Sequence, residues 1–335
     1  MGVTAGANEP VEAVESDRRH WTFTTFRENY HHLARFTAKT QTTMHRLLTT
    51  FLLTTFLFAC NSTDTAEQPA TTTASESTAP FADRVAAAET RLEASPGGQL
   101  ILAAINAHGG LQKWYAQSPL YYRFNYRPTD PEKTIRDSYI LNDYVNARAV
   151  HTSADQEGMT YGFDGQDAWK HPAGAELSVS PRFWSLTPYY FVGLPFVLAD
   201  EGINFEVLPR ETLNDIEYER VKVTYAAGTG DADQDYYVLW LNPMTDQVDA
   251  LNYIVSYPGF FPDGGHLPEK LMVISNKVEV DRILLPTGYT TRWSEKPEEV
   301  ITNITVSGYE FRPETETDAF ARPEGAEVVN DLGGE

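Results

Sequence analysis

The sequence PRFWSLTPYYFVGLPFVLA runs from Pro181 to Ala199 and contains few polar positions. An element that is apolar nearly all round must be buried on several sides. Pro188 and Pro195 lie inside the stretch, and proline interrupts helical hydrogen bonding, so we expect several short helical pieces. We therefore predict that this segment lies across the open face of a β-sheet.

The sequence on both sides of this segment alternates between apolar and polar residues, which predicts β-strands. The predicted strands are Leu120–Arg127, Thr134–Leu141, Val145–Thr152, Met159–Phe163, Ala168–His171, Ile203–Leu208, Tyr218–Tyr225, Tyr236–Leu241, Ala250–Tyr257, Leu271–Val280, Tyr289–Ser294 and Ile301–Phe311. Their connections are too short for parallel crossovers, so neighbouring strands must be antiparallel. The pattern predicts a mainly β (α+β) fold with a sheet of about a dozen strands.

Helices are predicted before the first strand. Apolar residues recur at helical spacing from Phe81 to Leu92 and from Leu100 to His108, and Gly109-Gly110 would end the second helix. A short helical turn is expected from Leu111 to Tyr115.

The segment from Met44 to Cys60 has the pattern of a bacterial lipoprotein signal. Basic residues precede an apolar run too short to span a bilayer, and the run ends at Leu57-Phe58-Ala59-Cys60. Cys60 is the only cysteine of the chain, so it is the predicted lipid-attachment residue. The alternative is a buried core cysteine behind a chance apolar run.

This pattern sets the expected domain organisation. Residues 1–43 are interpreted as an upstream extension from a wrongly assigned start, and 44–59 as the signal peptide. Residues 60–80 are rich in Ser, Thr and Ala and predict a flexible tether. We expect one domain over 81–312, followed by an acidic, frayed tail over 313–335.

The charge balance argues against nucleic-acid binding. The part after Ala59 keeps 20 of the 26 Lys and Arg residues but 42 of the 47 Asp and Glu residues. A surface of that sign repels phosphate backbones. With one cysteine, the chain can form no internal disulfide, and its stability must come from burial.

The common catalytic and metal-binding motifs are missing from the sequence. His108 is expected to cap a helix, where the helix C-terminus would favour its protonated form. Asp164-Gly165 is expected to form a hairpin turn, and the alternating aspartates of residues 231–235 a solvated loop. We expect no metal, no cofactor and no enzymatic activity. A hydrolase using Asp164, His171 or His266 stays a less favoured alternative.

Large aromatic residues are the candidates for lining an apolar cavity. They are Trp114, Trp184, Tyr189, Tyr190, Phe191, Phe196, Trp240, Tyr253 and Trp293. Phe260 and Phe261 lie in a glycine-bounded loop and cannot both face one side of a sheet, so one of them is expected to be an exposed lid or membrane-touching tip.

Three short motifs resemble a family of bacterial lipoproteins with a LolA/LolB-like fold, the outer-membrane lipoprotein carrier and receptor group. They are Ala107–Leu111 with Trp114, Gly162–Gly165 with Trp169, and Leu194–Asp200. The resemblance implies a half-barrel whose concave face holds helices and an apolar cavity that accepts acyl chains. Cys60 makes the chain more similar to the anchored receptor than to the soluble carrier.

The resulting hypothesis is a lipid-anchored envelope protein that binds a lipid, an acyl chain or a lipidated protein in this cavity. Asn61 follows the cysteine, and the lack of aspartate there favours the outer membrane, facing the periplasm. A lipoprotein is a candidate partner. The alternative from another class is a structural or interaction module of the envelope whose half-barrel is filled by its own side chains.

Overall fold

The computed structural model describes Pro80–Val329, Asp331 and Leu332. The predicted upstream extension, signal peptide, Cys60 and nearly all of the tether lie outside these residues. Within them, one antiparallel sheet of thirteen strands forms the body of the fold, and four α-helices cover one of its faces. The sheet is curved and open, which confirms the mainly β fold predicted from the strand pattern and the curvature implied by the family resemblance.

Three helices precede the sheet and one interrupts it. They are α1 (Ala82–Glu93), α2 (Pro96–Ala107), α3 (Leu111–Gln117) and α4 (Pro181–Gly193), with 3-10 turns at Phe196–Ala199 and Thr317–Phe320. Ser95 caps α2 by accepting a hydrogen bond from the Gly98 N–H, and Pro96 occupies the first helical position. Gly109 and Gly110 follow α2 with positive φ angles, which glycine adopts without a steric penalty.

All twelve predicted strands are present, several of them longer than expected. The strands are β1 (Leu120–Pro128), β2 (Arg136–Asp143), β3 (Arg148–Ser153), β4 (Thr160–Phe163), β5 (Ala168–His171), β6 (Ile203–Leu213), β7 (Ile216–Tyr225), β8 (Tyr236–Leu241), β9 (Val248–Tyr253), β10 (Lys270–Val280), β11 (Ile283–Trp293), β12 (Lys296–Phe311) and β13 (Glu327–Val328). Their order in the sheet is β13-β5-β4-β3-β2-β1-β12-β11-β10-β9-β8-β7-β6.

This strand order explains where the 181–199 segment lies. The chain starts in the middle of the sheet at β1, moves outward to β5, and resumes with β6 at the opposite edge. The connection between them must therefore cross a face of the sheet. Phe191 of α4 contacts Tyr253 on β9 and Tyr289 on β11, so the helix packs over the middle of the sheet, as predicted.

The prediction that Pro188 would divide this segment is wrong. Helix α4 continues through Pro188, and only Pro195 separates it from the next 3-10 turn. The Thr187 hydroxyl donates a hydrogen bond to the Phe183 carbonyl within the same helix. Burial on several sides outweighs the one hydrogen bond that proline removes, because the helix is held by packing as well as by its own hydrogen bonds.

The expectation of a frayed tail after Arg312 is also wrong for the described part of that tail. Phe320 is buried, and β13 pairs with β5 through Glu327 and Val328. The Thr317 carbonyl accepts a hydrogen bond from Arg148, whose guanidinium also lies over the Phe320 ring. Composition alone predicted an acidic tail but could not show that one aromatic residue anchors it.

The main core lies between the helices and the sheet. Trp114 of α3 stacks on Phe196 with ring centroids 4.3 Å apart and contacts Tyr144 at 4.4 Å. Tyr144 in turn stacks on Tyr189 of α4 at 4.4 Å. One continuous column of rings therefore joins α3, the β2–β3 turn, α4 and the 3-10 turn that follows α4.

Replacing Trp114 with alanine should remove the centre of this column. Trp114 is 1% exposed, so Trp114→Ala should lower the free energy of unfolding by about 3–5 kcal/mol, the usual cost for a buried tryptophan. Urea unfolding followed by far-UV circular dichroism measures the change. Met244 is 80% exposed, and Met244→Ala should stay within about 0.5 kcal/mol of the wild type. Equal stability of the two variants would contradict this account of the core.

Candidate functional site

Helix α4 is attached to the sheet by side chains that hydrogen bond to its backbone. Ser180 caps the helix by accepting from the Phe183 N–H. The Tyr289 hydroxyl donates to the Phe191 carbonyl at 2.8 Å. That carbonyl has no intrahelical partner, because the residue four positions later is Pro195 and lacks an N–H. The Tyr144 hydroxyl donates to the Tyr189 carbonyl at 3.2 Å.

His151 of β3 also hydrogen bonds to the backbone of α4. Its Nε2 lies 3.0 Å from the Ser185 carbonyl oxygen, which only accepts, so Nε2 carries the proton. The ring is fully buried and stacks on Tyr161. Burial lowers the pKa of His151 to about 4, because a charged imidazolium would lose its hydration there. The histidine is therefore a neutral structural donor that holds α4 against β3.

His108 caps α2 as expected, but the predicted protonated form is wrong. Its Nε2 accepts a hydrogen bond from the Val248 N–H, and its Nδ1 lies 3.0 Å from the Leu284 carbonyl oxygen. This pattern requires the neutral ring with the proton on Nδ1. Burial, which lowers the pKa of His108 to about 4, outweighs the attraction of the helix C-terminus.

The other acid and base candidates hold turns and loops. Asp164 accepts hydrogen bonds from the Gln166 and Asp167 N–H groups, as a hairpin turn requires. The aspartates of the 231–235 loop each have a protein partner: Asp231 pairs with Arg182 of α4, Asp233 accepts from a backbone N–H, and Asp235 binds Ser256. Within the described residues, no group of three or more His, Cys, Asp or Glu side chains could hold a metal ion.

Most of the predicted cavity residues do come together. Trp184, Tyr189 and Phe191 of α4 lie in the main core, where they contact sheet residues. Three further predicted candidates, Trp114, Phe196 and Tyr253, are buried in the same core. Tyr190 is half-buried beside it. Trp240 lies instead in a smaller cluster with Tyr218 and Leu271, on the opposite face of the sheet.

The remaining candidates lie at the surface. Phe260 is 47% exposed and packs edge-on against Phe183 of α4 and Tyr257. Phe261, next to it, is half-buried. Trp293 is half-buried at the end of β11.

Five residues form what we call the rim cluster, at one end of the sheet on its helix-covered face. Each lies at or near the start or end of a strand; they are Tyr126 (β1), Arg136 (β2), Tyr253 (β9), Lys270 (β10) and Trp293 (β11). Because neighbouring strands are antiparallel, the ends of β1, β9 and β11 lie at the same end of the sheet as the starts of β2 and β10.

The register shows that these side chains share a face. Arg136 is the direct partner of Tyr126, and Lys270 is the direct partner of both Tyr253 and Trp293. Directly paired residues of antiparallel strands point to the same side. Tyr126 and Tyr253 pack with the main core, so all five point toward the helices. Trp184 of α4 completes the site, because its ring lies 5.2 Å from that of Tyr126.

Sequence reasoning found Trp184, Tyr253 and Trp293 but missed the cations beside them. Arg136, Ser138 and Ile140 are every second residue of β2, so they all face inward. The alternation of residues in β2 could therefore have predicted that Arg136 faces inward. The position of Lys270 beside Trp293 depends on pairing between strands, which single-strand patterns do not reveal.

Aromatic rings pack beneath α4: Tyr189 stacks on Tyr144, and Phe191 contacts Tyr253 and Tyr289. The two pockets that stand out are elsewhere. One, of about 250 Å³, lies between the end of α1 and the start of β6 and is lined by Leu92, Leu198 and Phe205. The other, of about 410 Å³, is lined by Tyr218, Val273 and Lys277. Neither is lined by a residue of α4.

No helix within Pro80–Val329 is both long enough and apolar enough to cross a bilayer. The membrane attachment predicted at Cys60 lies outside the described residues.

The match to a family model concerns the region from α4 to the loop after β9. A family of unknown function (DUF6503) matches residues 182–265, which include α4, β6 to β9 and the loop of Phe260. No curated protein matches the chain.

Solved structures with a similar fold include a LolA superfamily protein from Nitrosomonas europaea, at 15% identity and a TM-score of 0.46, covering 68% of this chain and 99% of that one. A DUF1329 family protein from Desulfovibrio piger is similar at 15% identity and a TM-score of 0.47, covering 68% and 97%. The LolA superfamily, which the sequence motifs resemble, is thus among the similar structures. These likenesses concern the fold alone.

The neutral state of His151 predicts a pH dependence of stability. In the unfolded chain His151 takes up a proton near pH 6.5, and in the folded chain only near pH 4. The free energy of unfolding should therefore fall as the pH drops from 6.5 to 4. His151→Gln retains an N–H donor but does not titrate. The free energy of unfolding of this variant should fall less steeply with pH, and its slope should be smaller than that of the wild type by up to about 1.4 kcal/mol per pH unit. Urea unfolding at half-unit steps measures both slopes, and identical slopes would mean that His151 titrates normally in the fold.

Proposed function

We propose that this protein binds a lipid or another molecule with an acyl chain at the end of the sheet marked by the rim cluster, next to α4. The observation that carries the proposal is the group of aromatic side chains there, of which Tyr126 packs against the main core. Partly exposed Tyr126 lies 5.2 Å from the ring of buried Trp184, and partly exposed Trp293 and buried Tyr253 lie on either side of Lys270. An apolar chain laid against them would gain about 0.8 kcal/mol for each buried methylene.

Because aromatic rings pack beneath α4, a bound acyl chain must displace side chains to go deeper. Phe183 and Phe260 can move at the lowest cost. Their rings pack against each other at 4.9 Å, and the 47% exposure of Phe260 means that its displacement opens little new apolar surface. The exposed Phe260 therefore acts as a lid in this proposal, as the sequence suggested.

The proposal includes attachment to a membrane of the cell envelope through acylated Cys60, with residues 60–80 as the tether. The outer membrane, facing the periplasm, is the proposed location. A tether of about 20 flexible residues has a root-mean-square length of roughly 25 Å, so the domain would stay close to the lipid surface. A lipidated protein is a second candidate for the bound molecule, and no cofactor takes part.

The second candidate function is a structural or interaction module of the envelope. The column formed by Trp114, Phe196, Tyr144 and Tyr189 of α4 favours it, because these rings pack on one another on the face where the family resemblance implied an apolar cavity. Only the first candidate function requires bound lipid, so a measurement of lipid on the purified protein can distinguish the two candidates.

Lipid that remains bound to the purified protein tests the binding proposal. The full chain, extracted in a mild nonionic detergent, should carry about one acyl-chain lipid per molecule in native mass spectrometry. Phe260→Ala should lose most of it. Tyr139, 38% exposed on the opposite face, gives the matched control, and Tyr139→Ala should retain it. Absence of lipid from the wild type would favour the module, as would equal loading of both variants.

Metabolic labelling tests the proposed anchor. Cells grown with radiolabelled palmitate should incorporate label into the wild-type protein, because an acyl chain is attached at the signal cysteine. The Cys60→Ser variant should carry no label and should keep its signal segment, seen as a larger intact mass. Equal labelling of both proteins would exclude Cys60 as the attachment point.

A further inference from the structure

Two basic side chains of the rim cluster lack the ion pairs that several other partly buried cations form. Arg148, Arg182 and Lys277 each form an ion pair with an aspartate. Arg136 and Lys270 are half-buried and form no ion pair within the described residues. Lys222 and Arg292 are also half-buried without an ion pair among the described residues, but they lie on the opposite face of the sheet. The chain has 47 acidic residues and only 26 basic ones, so carboxylate partners are abundant. Two unpaired cations at one end of one face therefore require an explanation.

The surroundings of both cations are aromatic. The Arg136 guanidinium carbon lies 4.5 Å from the Trp184 ring centroid and 5.0 Å from that of Tyr126. The Lys270 ammonium lies 5.5 Å from the Tyr253 ring and 5.6 Å from the Trp293 ring. Ring faces attract cations but do not neutralise them. The Nε of Arg136 is buried and has no hydrogen-bond partner.

The electrostatics show the cost of this arrangement. Burial, together with repulsion from Lys133 and Arg136, lowers the pKa of Lys270 to about 8. Burial also lowers the pKa of Arg136. Asp235 attracts Lys270 weakly, and its carboxylate is already hydrogen bonded to the Ser256 N–H and hydroxyl. Three positive groups thus face one occupied carboxylate, and a partly buried cation without a counter-ion is unfavourable.

We propose that Arg136 and Lys270 bind the anionic headgroup of an amphiphile whose apolar chain lies against Trp184, Tyr253 and Trp293. This inference rests on the proposed function and adds the chemical class of the ligand. The headgroup supplies the missing counter-ion and accepts the free Arg136 Nε–H, while the rings that flank the cations contact the chain. The overall negative charge of the protein disfavours polyanions, so a single carboxylate or phosphate on an apolar chain fits best.

Three probes of equal chain length separate the contributions of headgroup and chain. Dodecanoate and dodecyl phosphate carry the two anionic headgroups, and dodecanol carries none. Each is titrated into the full chain in one nonionic detergent, with binding followed by native mass spectrometry. The wild type should bind at least one of the anionic probes about tenfold or more tightly than dodecanol, as expected for a charge-assisted contact. Inorganic phosphate alone should bind far more weakly than dodecyl phosphate.

The substitutions Arg136→Gln and Lys270→Gln should each reduce this preference, and together they should abolish it, while dodecanol binding stays unchanged. Unchanged dodecanol binding also shows that the variants fold. Lys222 provides a matched control, because it too lies over a tyrosine ring, that of Tyr236, but on the opposite face. Lys222→Gln should retain the wild-type preference.

The possible failures are distinguishable. If all three probes bind equally to the wild type, the headgroup inference is wrong and lipid binding stands. If inorganic phosphate binds as tightly as dodecyl phosphate, the site recognises free anions and the chain contributes nothing. If no probe binds, the proposed function fails together with the inference.

Discussion

The contact between the aromatic face of α4 and the curved sheet is the constraint on which the rest of the fold depends. The chain leaves the sheet at β5 and returns at β6, on the opposite edge, so the connection must cross a face. A connection over a sheet face would leave buried polar groups unsatisfied unless it were helical. Helix α4 meets that requirement with tyrosine and histidine donors from β3, β11 and the β2–β3 turn, and with aromatic rings that pack against the sheet.

This packed interface has a consequence for function. It makes the middle of the helix-covered face rigid, since displaced rings would each forfeit well-packed contacts. Half-buried aromatic residues lie at the end of the sheet, where Tyr126 meets Trp184 and Trp293 lies beside Lys270. The region that matches the family of unknown function, 182–265, contains α4 and the Phe260 loop. The covering helix and the proposed lid thus belong to one continuous stretch of sequence.

Much of the fold followed from local patterns, because strand alternation and helical spacing are properties of neighbouring residues. The twelve expected strands are present for that reason. The errors arose where burial opposed a local preference. Pro188 stays inside a helix because the segment is packed on several sides, His108 is neutral because it is buried, and the acidic tail is held by Phe320.

The sequence by itself determined the mainly β architecture, the apolar segment that covers the sheet, the negative charge and most of the aromatic candidates. Only the tertiary structure decided which of these residues meet. Trp240 and Tyr253 are both large aromatic residues in predicted strands, yet strand register places them on opposite faces of the sheet. The pairing of Lys270 with Trp293 and of Arg136 with Tyr126 joins residues from different strands. Such pairings depend on the order and register of the whole sheet, which no single segment encodes.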